Sequence, residues 1–387
     1  MSRHARVQVD LSAIAHNVEE LCAVAGTARL CAVVKADGYG HGAVEVARTA
    51  VAHGATMLAV ALVDEGAPLR EAGIGAPILV LSEPPVDALR DAWELGLTPT
   101  LYHEDAVARA AEVVPAGGRW GVQLKVDTGM HRVGMVPDRV VDVAAAVVAS
   151  PRLVLDGVFT HLAVADEPDR PETTAQLGRF DAVISDLRAK GIDPGTVHAA
   201  NSAGLIAHPA ARYALVRAGI AVYGLAPAPR MEGMVDLRPA MSVVSEVSHV
   251  AVVPAGDGVS YGLRHVFDRD TTVATVPVGY ADGVSRRLWS TGGEVLIGGV
   301  RRPIRGVVTM DQLMVELGPA PGGAAGPAGA HAAVARGDEV VLLGRQASAD
   351  GVAVEEITAG EWAGHLDTIA YEVVCGFGPR LPRRYVR

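Results

Sequence analysis

Cysteines, long apolar runs and clustered positive charge are all scarce in this chain of 387 residues. The cysteines are odd in number and widely spaced, which argues against a disulfide framework and against a cysteine metal site; they are Cys22, Cys31 and Cys375. Apolar stretches such as 143–149 fall far short of the roughly 20 residues that a membrane span needs. We therefore expect no signal peptide, no membrane contact and a soluble cytoplasmic protein.

The charge pattern excludes another broad class of protein. The formal net charge is −10, and no long run of Lys or Arg occurs. The chain therefore lacks the electrostatic footprint of a nucleic-acid-binding protein. An anionic ligand would have to be held by local donors.

Short runs rich in Val, Ile and Leu alternate with longer helix-like segments, a pattern typical of parallel βα units. After a first helix at Leu11–Ala25, eight strands are predicted, at 30–34, 57–60, 77–81, 98–101, 122–126, 154–159, 196–199 and 213–217. Eight alternations over about two hundred residues favour a (β/α)8 barrel, although an open doubly wound sheet has the same local pattern.

The pattern changes beyond about residue 235, where strand-like segments follow one another without long helices. These segments lie at 242–253, 271–278, 294–297, 305–317 and 339–343. We expect residues 10–235 to form the α/β barrel, and residues 1–9 with 236–387 to form a mostly β domain. The stretch 319–335, rich in Gly, Ala and Pro, is predicted to be a loop between two strands.

Lys35 ends an apolar strand and opens into a glycine-rich turn, in the run AVVKADGYGHG at 32–42. An ammonium flanked by buried valines is a candidate for a lowered pKa, and a partly neutral lysine is what Schiff-base chemistry with an aldehyde requires. The alternative is a surface lysine capped by a turn. Lys35 alone does not decide between them.

Polar residues follow the predicted strands at the end where barrel enzymes carry their active sites. Besides Lys35, they are Lys125 with Asp127, His161, Asn201 with Ser202, and Arg217 with Gly219. The loops after strands seven and eight of such barrels often bind phosphate through backbone N–H groups and a hydroxyl. A serine N-cap and a turn glycine are the alternative, but Lys35 on the same rim favours a phosphate site.

The stretch around Lys35 resembles the lysine motif of alanine racemases, enzymes that interconvert L-alanine and D-alanine with pyridoxal 5'-phosphate. Later motifs of that family follow in order across nearly the whole chain: KVDTGMHRVG at 125–134, HAANSAG at 198–204, RAGI at 217–220, VSYG at 259–262, VGYADG at 278–283, TMD at 309–311 and YEVVC at 371–375. The resemblance implies an isomerase without a metal that supplies D-alanine for cell-wall peptidoglycan.

The resemblance also assigns the cofactor contacts. They are Lys35, Tyr39, His161, Asn201, Ser202, Arg217, Gly219, Ile220 and Tyr371. Arg217 would face the pyridine nitrogen, with His161 as its orienting neighbour. Because a guanidinium there cannot give up its proton, the ring stays a weak electron sink, which favours prompt reprotonation over transamination.

Racemisation needs two bases on opposite faces of a planar carbanion. The resemblance implies Lys35 for D-alanine and Tyr261 for L-alanine. The unperturbed pKa of tyrosine is near 10, and Arg132 nearby should lower it by favouring the phenolate. Arg132 and the backbone amide of Met310 would hold the substrate carboxylate.

Other family positions imply finer tuning. Lys125 corresponds to a lysine that many members carry as a carbamate, an anion that can orient Arg132. Tyr280 would line the entrance, and Tyr371 would restrict the pocket to a small substrate. Thr309 stands where many members have cysteine, which leaves the role of the next backbone amide intact.

In the family, Tyr261 reaches the active site from the other subunit, so we expect a homodimer with shared sites. Three alternatives remain open: a racemase that acts on serine or a broad range of amino acids, a non-enzymatic pyridoxal-phosphate carrier, and a barrel decarboxylase. The carrier would lack Tyr261, Met310 and Tyr371. The decarboxylase would need a carboxylate in place of Arg217.

Overall fold

The computed structural model describes residues 4–320, 334–348 and 350–387. The described chain divides into two compact units. One is Leu11–Arg238; the other joins the N-terminal strand β1 (Arg6–Asp10) to Pro239–Arg387. Among the described residues, no helix combines the length and apolar character needed to cross a membrane.

The first unit is a closed barrel of eight parallel strands. They are β2 (Arg29–Val33), β3 (Ala55–Val60), β4 (Ile78–Val80), β5 (Thr98–Leu101), β6 (Trp120–Lys125), β7 (Leu153–Phe159), β8 (Thr196–His198) and β9 (Leu215–Ala218). Strand β2 pairs with both β3 and β9, which closes the ring and confirms the barrel over the open sheet. Because helices cover the outside, the strands are mostly buried on both faces, which explains their near-continuous apolar runs.

One helix precedes β2, and the others connect successive barrel strands. Their bounds are Leu11–Ala25, Ala43–Ala52, Val63–Glu71, Leu89–Glu94, Glu104–Val113, Val140–Ala149, Glu172–Ala189 and Ser202–Ala207. The first helix has the predicted bounds and is followed by Gly26, whose φ of +66° suits a residue without Cβ.

The second unit is built mainly from antiparallel strands. They are β10 (Met241–Glu246), β11 (His249–Val253), β12 (Gly258–Val259), β13 (His265–Val266), β14 (Thr271–Val276), β15 (Glu294–Ile297), β16 (Val300–Pro303), β17 (Leu313–Pro319), β18 (Glu339–Ala347), β19 (Val354–Ile357) and β20 (Arg383–Val386). Strand β1 lies between β10 and β20, and its Val7 and Val9 point into the core. Two helices follow β19, at Ala359–Leu366 and Ala370–Cys375.

Two strand predictions in this unit were wrong in detail. The segment 242–253 is two strands, because β10 ends at Glu246 and β11 belongs to a different sheet. The segment 305–317 is a loop before β17 begins at Leu313, since Thr309 closes a turn with the backbone of Gln312. Most of the predicted loop 319–335 lies outside the described residues.

Candidate active site

Four cationic side chains gather at the C-terminal mouth of the barrel. Lys35 follows β2, Lys125 ends β6, Arg132 lies in the next loop and Arg217 lies in β9. Lys125 and Arg217 are only 5% and 3% exposed. Burial, followed by the charges of Arg217, Arg132 and Lys35, lowers the pKa of Lys125 to about 7. The mouth is therefore strongly electropositive.

The carboxylate beside these cations is already engaged by the backbone. Asp127 Oδ1 accepts N–H groups of Gly129, Met130 and His131 at 2.9–3.0 Å, which shapes the loop that carries Arg132. Burial alone would raise the pKa of Asp127, but these backbone donors and the His131 charge together lower it. Asp127 thus organises its own loop and balances only part of the positive charge.

A left-handed turn follows Lys35. Ala36, Asp37, Gly38 and Tyr39 all have φ between 51° and 61°. Non-glycine residues in this region cost roughly 1–2 kcal/mol each, so the surroundings must hold the turn. Glu65 does so from the helix after β3. One carboxylate oxygen accepts the Ala36 N–H at 2.7 Å, and the other accepts two backbone N–H groups at the start of its own helix.

The turn brings Tyr39 against the loops after β8 and β9. A Cβ on Gly219 would lie 2.5 Å from the Tyr39 hydroxyl, so this approach requires glycine. Ser202 Oγ accepts the Gly219 N–H at 2.9 Å and the Ala221 N–H at 3.4 Å. Its own hydroxyl proton remains as a donor. Tyr39, Ser202 and the amides at 219 and 220 therefore lie together.

The structure shows contacts of Asn201 and burial of Ile220 that the sequence motifs did not predict. Asn201 caps the helix Ser202–Ala207, since its Oδ1 accepts the Gly204 N–H at 2.9 Å. Ile220 is fully buried directly after β9. Asn201 thus orients the segment that starts with Ser202.

Arg217 is held from several sides inside the barrel. Nη1 donates to Nδ1 of His198 at 2.8 Å, while Nη2 donates to the carbonyls of Thr160 and Ala199 and lies 3.3 Å from Nδ1 of His161. Within the described residues, its Nε has no hydrogen-bond acceptor. Burial lowers the pKa of Arg217 to about 10, so the guanidinium stays charged at neutral pH.

His161, the predicted neighbour of Arg217, is neutral in this setting. Burial, followed by the charge of Arg217, holds the pKa of His161 well below its usual range. His198 makes the shorter contact with Arg217 and was not predicted. The sequence did contain a signal for this contact. Gln123 and Lys125 lie two residues apart in β6 and therefore point to the same face of the strand, and Gln123 contacts His198.

In the second unit, Tyr261 lies on a tight turn between β12 and β13. Its side chain is 72% exposed, and the preceding Ser260 has φ of +64°. Ser260 Oγ donates to the Val307 carbonyl at 2.6 Å, which ties this turn to the loop before β17. Leu263 on the same turn and Val266 in β13 are also exposed.

Tyr280 and Met310 lie on two segments that touch. The N–H of Tyr280 donates to the Thr309 carbonyl at 2.9 Å, and the next N–H donates to the Met310 carbonyl. A Cβ on Gly279 would overlap both carbonyls, so this approach requires glycine. Thr309 Oγ1 closes the 309–312 turn by donating to one backbone group and accepting from another.

Tyr371 lies in the helix Ala370–Cys375 of the same unit and is partly buried. The end of this helix meets the segment that carries Tyr280, since a Cβ on Gly283 would lie 2.5 Å from the Gly376 carbonyl oxygen. The second unit thus collects Tyr280, Met310 and Tyr371 on neighbouring segments.

Comparison with known proteins agrees with the motifs. Residues 9–227 match the family model for the alanine racemase N-terminal domain, and residues 240–385 match that for the C-terminal domain. The chain belongs to the alanine racemase family. This membership confirms the resemblance and the expected enzyme class, an isomerase. The family is pyridoxal-phosphate-dependent.

Individual relatives span almost the whole chain. The alanine racemase of Symbiobacterium thermophilum is 46% identical over 98% of this chain and 96% of its own length. The crystal structure of the Bacillus anthracis alanine racemase with bound L-Ala-P matches with a TM-score of 0.90 and 37% identity, covering 100% of this chain and 96% of that one. A histidine racemase from Leuconostoc mesenteroides matches with a TM-score of 0.86 and 28% identity, covering 100% and 98%.

Proposed function

We propose that this chain interconverts L-alanine and D-alanine, with pyridoxal 5'-phosphate held at the barrel mouth and with Lys35 and Tyr261 as the two bases. Its product would be the D-alanine of cell-wall peptidoglycan. The observation that carries the proposal is the cluster of cations at the mouth, where burial of Lys125, followed by the charges of Arg217, Arg132 and Lys35, lowers the pKa of that lysine to about 7. Such a mouth fits an anionic occupant.

The residues present fit the phosphate end of this cofactor. Ser202 has a hydroxyl proton to donate, and Tyr39 places its hydroxyl beside Gly219. We assign the phosphate to these two hydroxyls and to the amides of Gly219 and Ile220, with Asn201 orienting the segment. The Gly219 amide now donates to Ser202 Oγ, so it would exchange that acceptor for a phosphate oxygen.

Arg217 suits the pyridine end. Its Nε lacks an acceptor among the described residues, while its other nitrogens are anchored. A buried guanidinium with these anchors donates a hydrogen bond to a ring nitrogen without giving up a proton. Neutral His161 flanks it without adding positive charge. We infer that Arg217 keeps the ring nitrogen unprotonated and thereby limits transamination.

Proton transfer is assigned to two side chains. Bound pyridoxal phosphate would supply the electron sink that acidifies the Cα–H bond of alanine. Lys35 would take or return the proton on the D face, and Tyr261 would do so on the L face. After L-alanine is converted to D-alanine, Tyr261 is protonated and Lys35 is neutral. These are the protonation states that the reverse reaction requires.

Substrate binding is assigned to Arg132 and the Met310 amide, which would hold the carboxylate. Arg132 is exposed and makes no hydrogen bond or ion pair with the described residues, so its guanidinium is available. Tyr371 would limit side-chain size, and Tyr280 would line the entrance. The fold alone does not select alanine, because a histidine racemase shares it at 28% identity.

The reaction is tested by incubating the protein with pyridoxal phosphate and L-alanine in deuterated water. We expect both enantiomers to form with deuterium at Cα. Chiral chromatography measures the enantiomers, and mass spectrometry measures the deuterium. L-serine and L-histidine in parallel define the substrate range. Lys35→Ala should abolish exchange. Release of carbon dioxide, or cofactor binding without α-exchange, would sink the proposal.

A homodimer with shared sites is the second part of the proposal. Tyr261, Leu263 and Val266 are 72%, 62% and 56% exposed on the turn after β12 and on β13, an apolar surface that another subunit would cover. We infer that Tyr261 works in the active site of the second copy. The two bases then come from two chains.

Shared sites predict complementation between two inactive variants. Mixing Lys35→Ala with Tyr261→Ala should restore about a quarter of wild-type activity, because half of a random mixture is heterodimer with one intact site of two. Mixing Lys35→Ala with the double variant should restore none. Absence of recovery, once subunit exchange is verified, would show that each chain completes its own site.

Lys125 is proposed to carry a carbamate. Because its pKa is about 7, the amine is largely neutral above that pH. The nitrogen lone pair can then bond to carbon dioxide, and one proton leaves to solvent. The product is an anion next to Arg132 and Arg217, in place of a fourth cation.

This modification is measurable because the chain contains only three lysines, Lys35, Lys125 and Lys190. With 13C-bicarbonate we expect one carbamate resonance, which grows as pH rises through about 7 and the ammonium loses its proton. Lys125→Met should remove it, and Lys190→Met should retain it. A signal that survives Lys125→Met would place the modification elsewhere.

A further inference from the structure

Arg217 is the first member of a hydrogen-bonded chain of four side chains, three of which are buried. Its Nη1 contacts Nδ1 of His198 at 2.8 Å, and His198 Nε2 contacts Oε1 of Gln123 at 2.9 Å. Gln123 Nε2 then donates to Oδ2 of Asp156 at 3.2 Å. Arg217, His198 and Gln123 are at most 3% exposed, so water does not substitute for these contacts.

The chemistry of the two ends sets the direction of the whole chain. A guanidinium has only donors, and a carboxylate has only acceptors. Asp156 therefore requires the NH2 group of Gln123, which leaves the Gln123 carbonyl facing His198. That carbonyl requires a proton on Nε2 of His198. Nδ1 is then a bare lone pair, which is what Arg217 requires.

The imidazole is also kept neutral. Burial, followed by the charge of Arg217, holds the pKa of His198 well below its usual range. The ring of Phe159 stacks on His198 at 4.7 Å with an angle of 11° between planes, and the same ring lies 5.1 Å from the Arg217 guanidinium carbon. His198 is thus fixed in its plane as well as in its protonation state.

The backbone of β7 is shaped to admit this arrangement. Gln123 pairs with Gly157, while the preceding Val122 pairs with Leu155, so Asp156 is the extra residue of a bulge. A Cβ on Gly157 would lie 3.1 Å from the side-chain nitrogen Nε2 of Gln123 and 2.6 Å from the backbone carbonyl oxygen of Thr196. A bulge and a glycine therefore bring Asp156 to the Gln123 amide.

We propose that Gln123, oriented by Asp156, is a positioning residue that holds His198 in its Nε2–H form and thereby aims the Arg217 guanidinium. The tautomer does not depend on the proposed function. Its catalytic consequence does: if Arg217 loses the His198 acceptor and tilts away, the ring nitrogen it faces can take a proton from water. A stronger electron sink then diverts turnovers from racemisation to transamination, in which the amino group and two electrons of alanine pass to pyridoxal phosphate and the products are pyruvate and pyridoxamine phosphate.

The tautomer is tested in the protein without cofactor, labelled with 15N-histidine. We expect the His198 resonances, identified by their loss in His198→Asn, to show a protonated Nε2 and an unprotonated Nδ1 at neutral pH. In Gln123→Met the Nε2–H signal should shift upfield as its acceptor is lost. A neutral Nδ1–H form in the wild-type protein would overturn the proposal, whether or not the protein racemises alanine.

Positioning is tested by pyruvate released per alanine racemised, a ratio that does not change with the amount of folded enzyme. We expect Gln123→Met to raise this ratio about tenfold, the effect of leaving one buried donor without its acceptor. KM for alanine should change little. Asp156→Asn, further from Arg217, should raise the ratio in the same direction and by less.

Gln176→Met is the matched control, because Gln176 is equally buried and hydrogen-bonded but does not contact Arg217 or His198. The ratio should stay at the wild-type value in this variant. An unchanged ratio in Gln123→Met, or an equal rise in Gln176→Met, would reduce Gln123 to a packing role.

Discussion

Buried positive charge at the barrel mouth is the constraint on which the rest of the site depends. Lys125 and Arg217 are almost fully enclosed, and Lys35 and Arg132 add their charges from the rim. Asp127, the carboxylate beside them, accepts hydrogen bonds from backbone N–H groups of its own loop. Burying like charges together is unfavourable unless an anion completes the site. The proposed phosphate-bearing cofactor, substrate carboxylate and lysine carbamate would each supply one.

The geometry around the charges follows from backbone conformations that ordinary packing would not produce. Lys35 is followed by four residues in the left-handed region, which Glu65 stabilises from the next βα unit. Gly219 has no Cβ to separate Tyr39 from the loops after β8 and β9, and Gly157 has none to displace the side chain of Gln123. Strain and close approach are thus concentrated where the site needs fixed hydroxyls and a fixed guanidinium.

Much of this was predictable from the sequence, for identifiable reasons. Barrel strands are recognisable as apolar runs that are buried on both faces. Polar residues at or just after the C-terminal ends of these strands lie at the mouth, so Lys35 and Arg217 could be placed. Contacts between distant segments could not. His198 lies in the motif from which only Asn201 and Ser202 were predicted to be site residues. Gln123, the hydrogen-bond partner of His198, lies 75 residues away in another strand. The Thr309 turn was likewise hidden inside a strand-like run of apolar residues.

The central claim is that Lys35 is the amine that meets an aldehyde cofactor within the cationic mouth. The most direct measurement is to add pyridoxal phosphate to the purified protein, reduce with borohydride and locate the label by peptide mass spectrometry. With three lysines in the chain, the account predicts one label per chain, on Lys35. A label on Lys125 or Lys190, or none in a correctly folded protein, would contradict it.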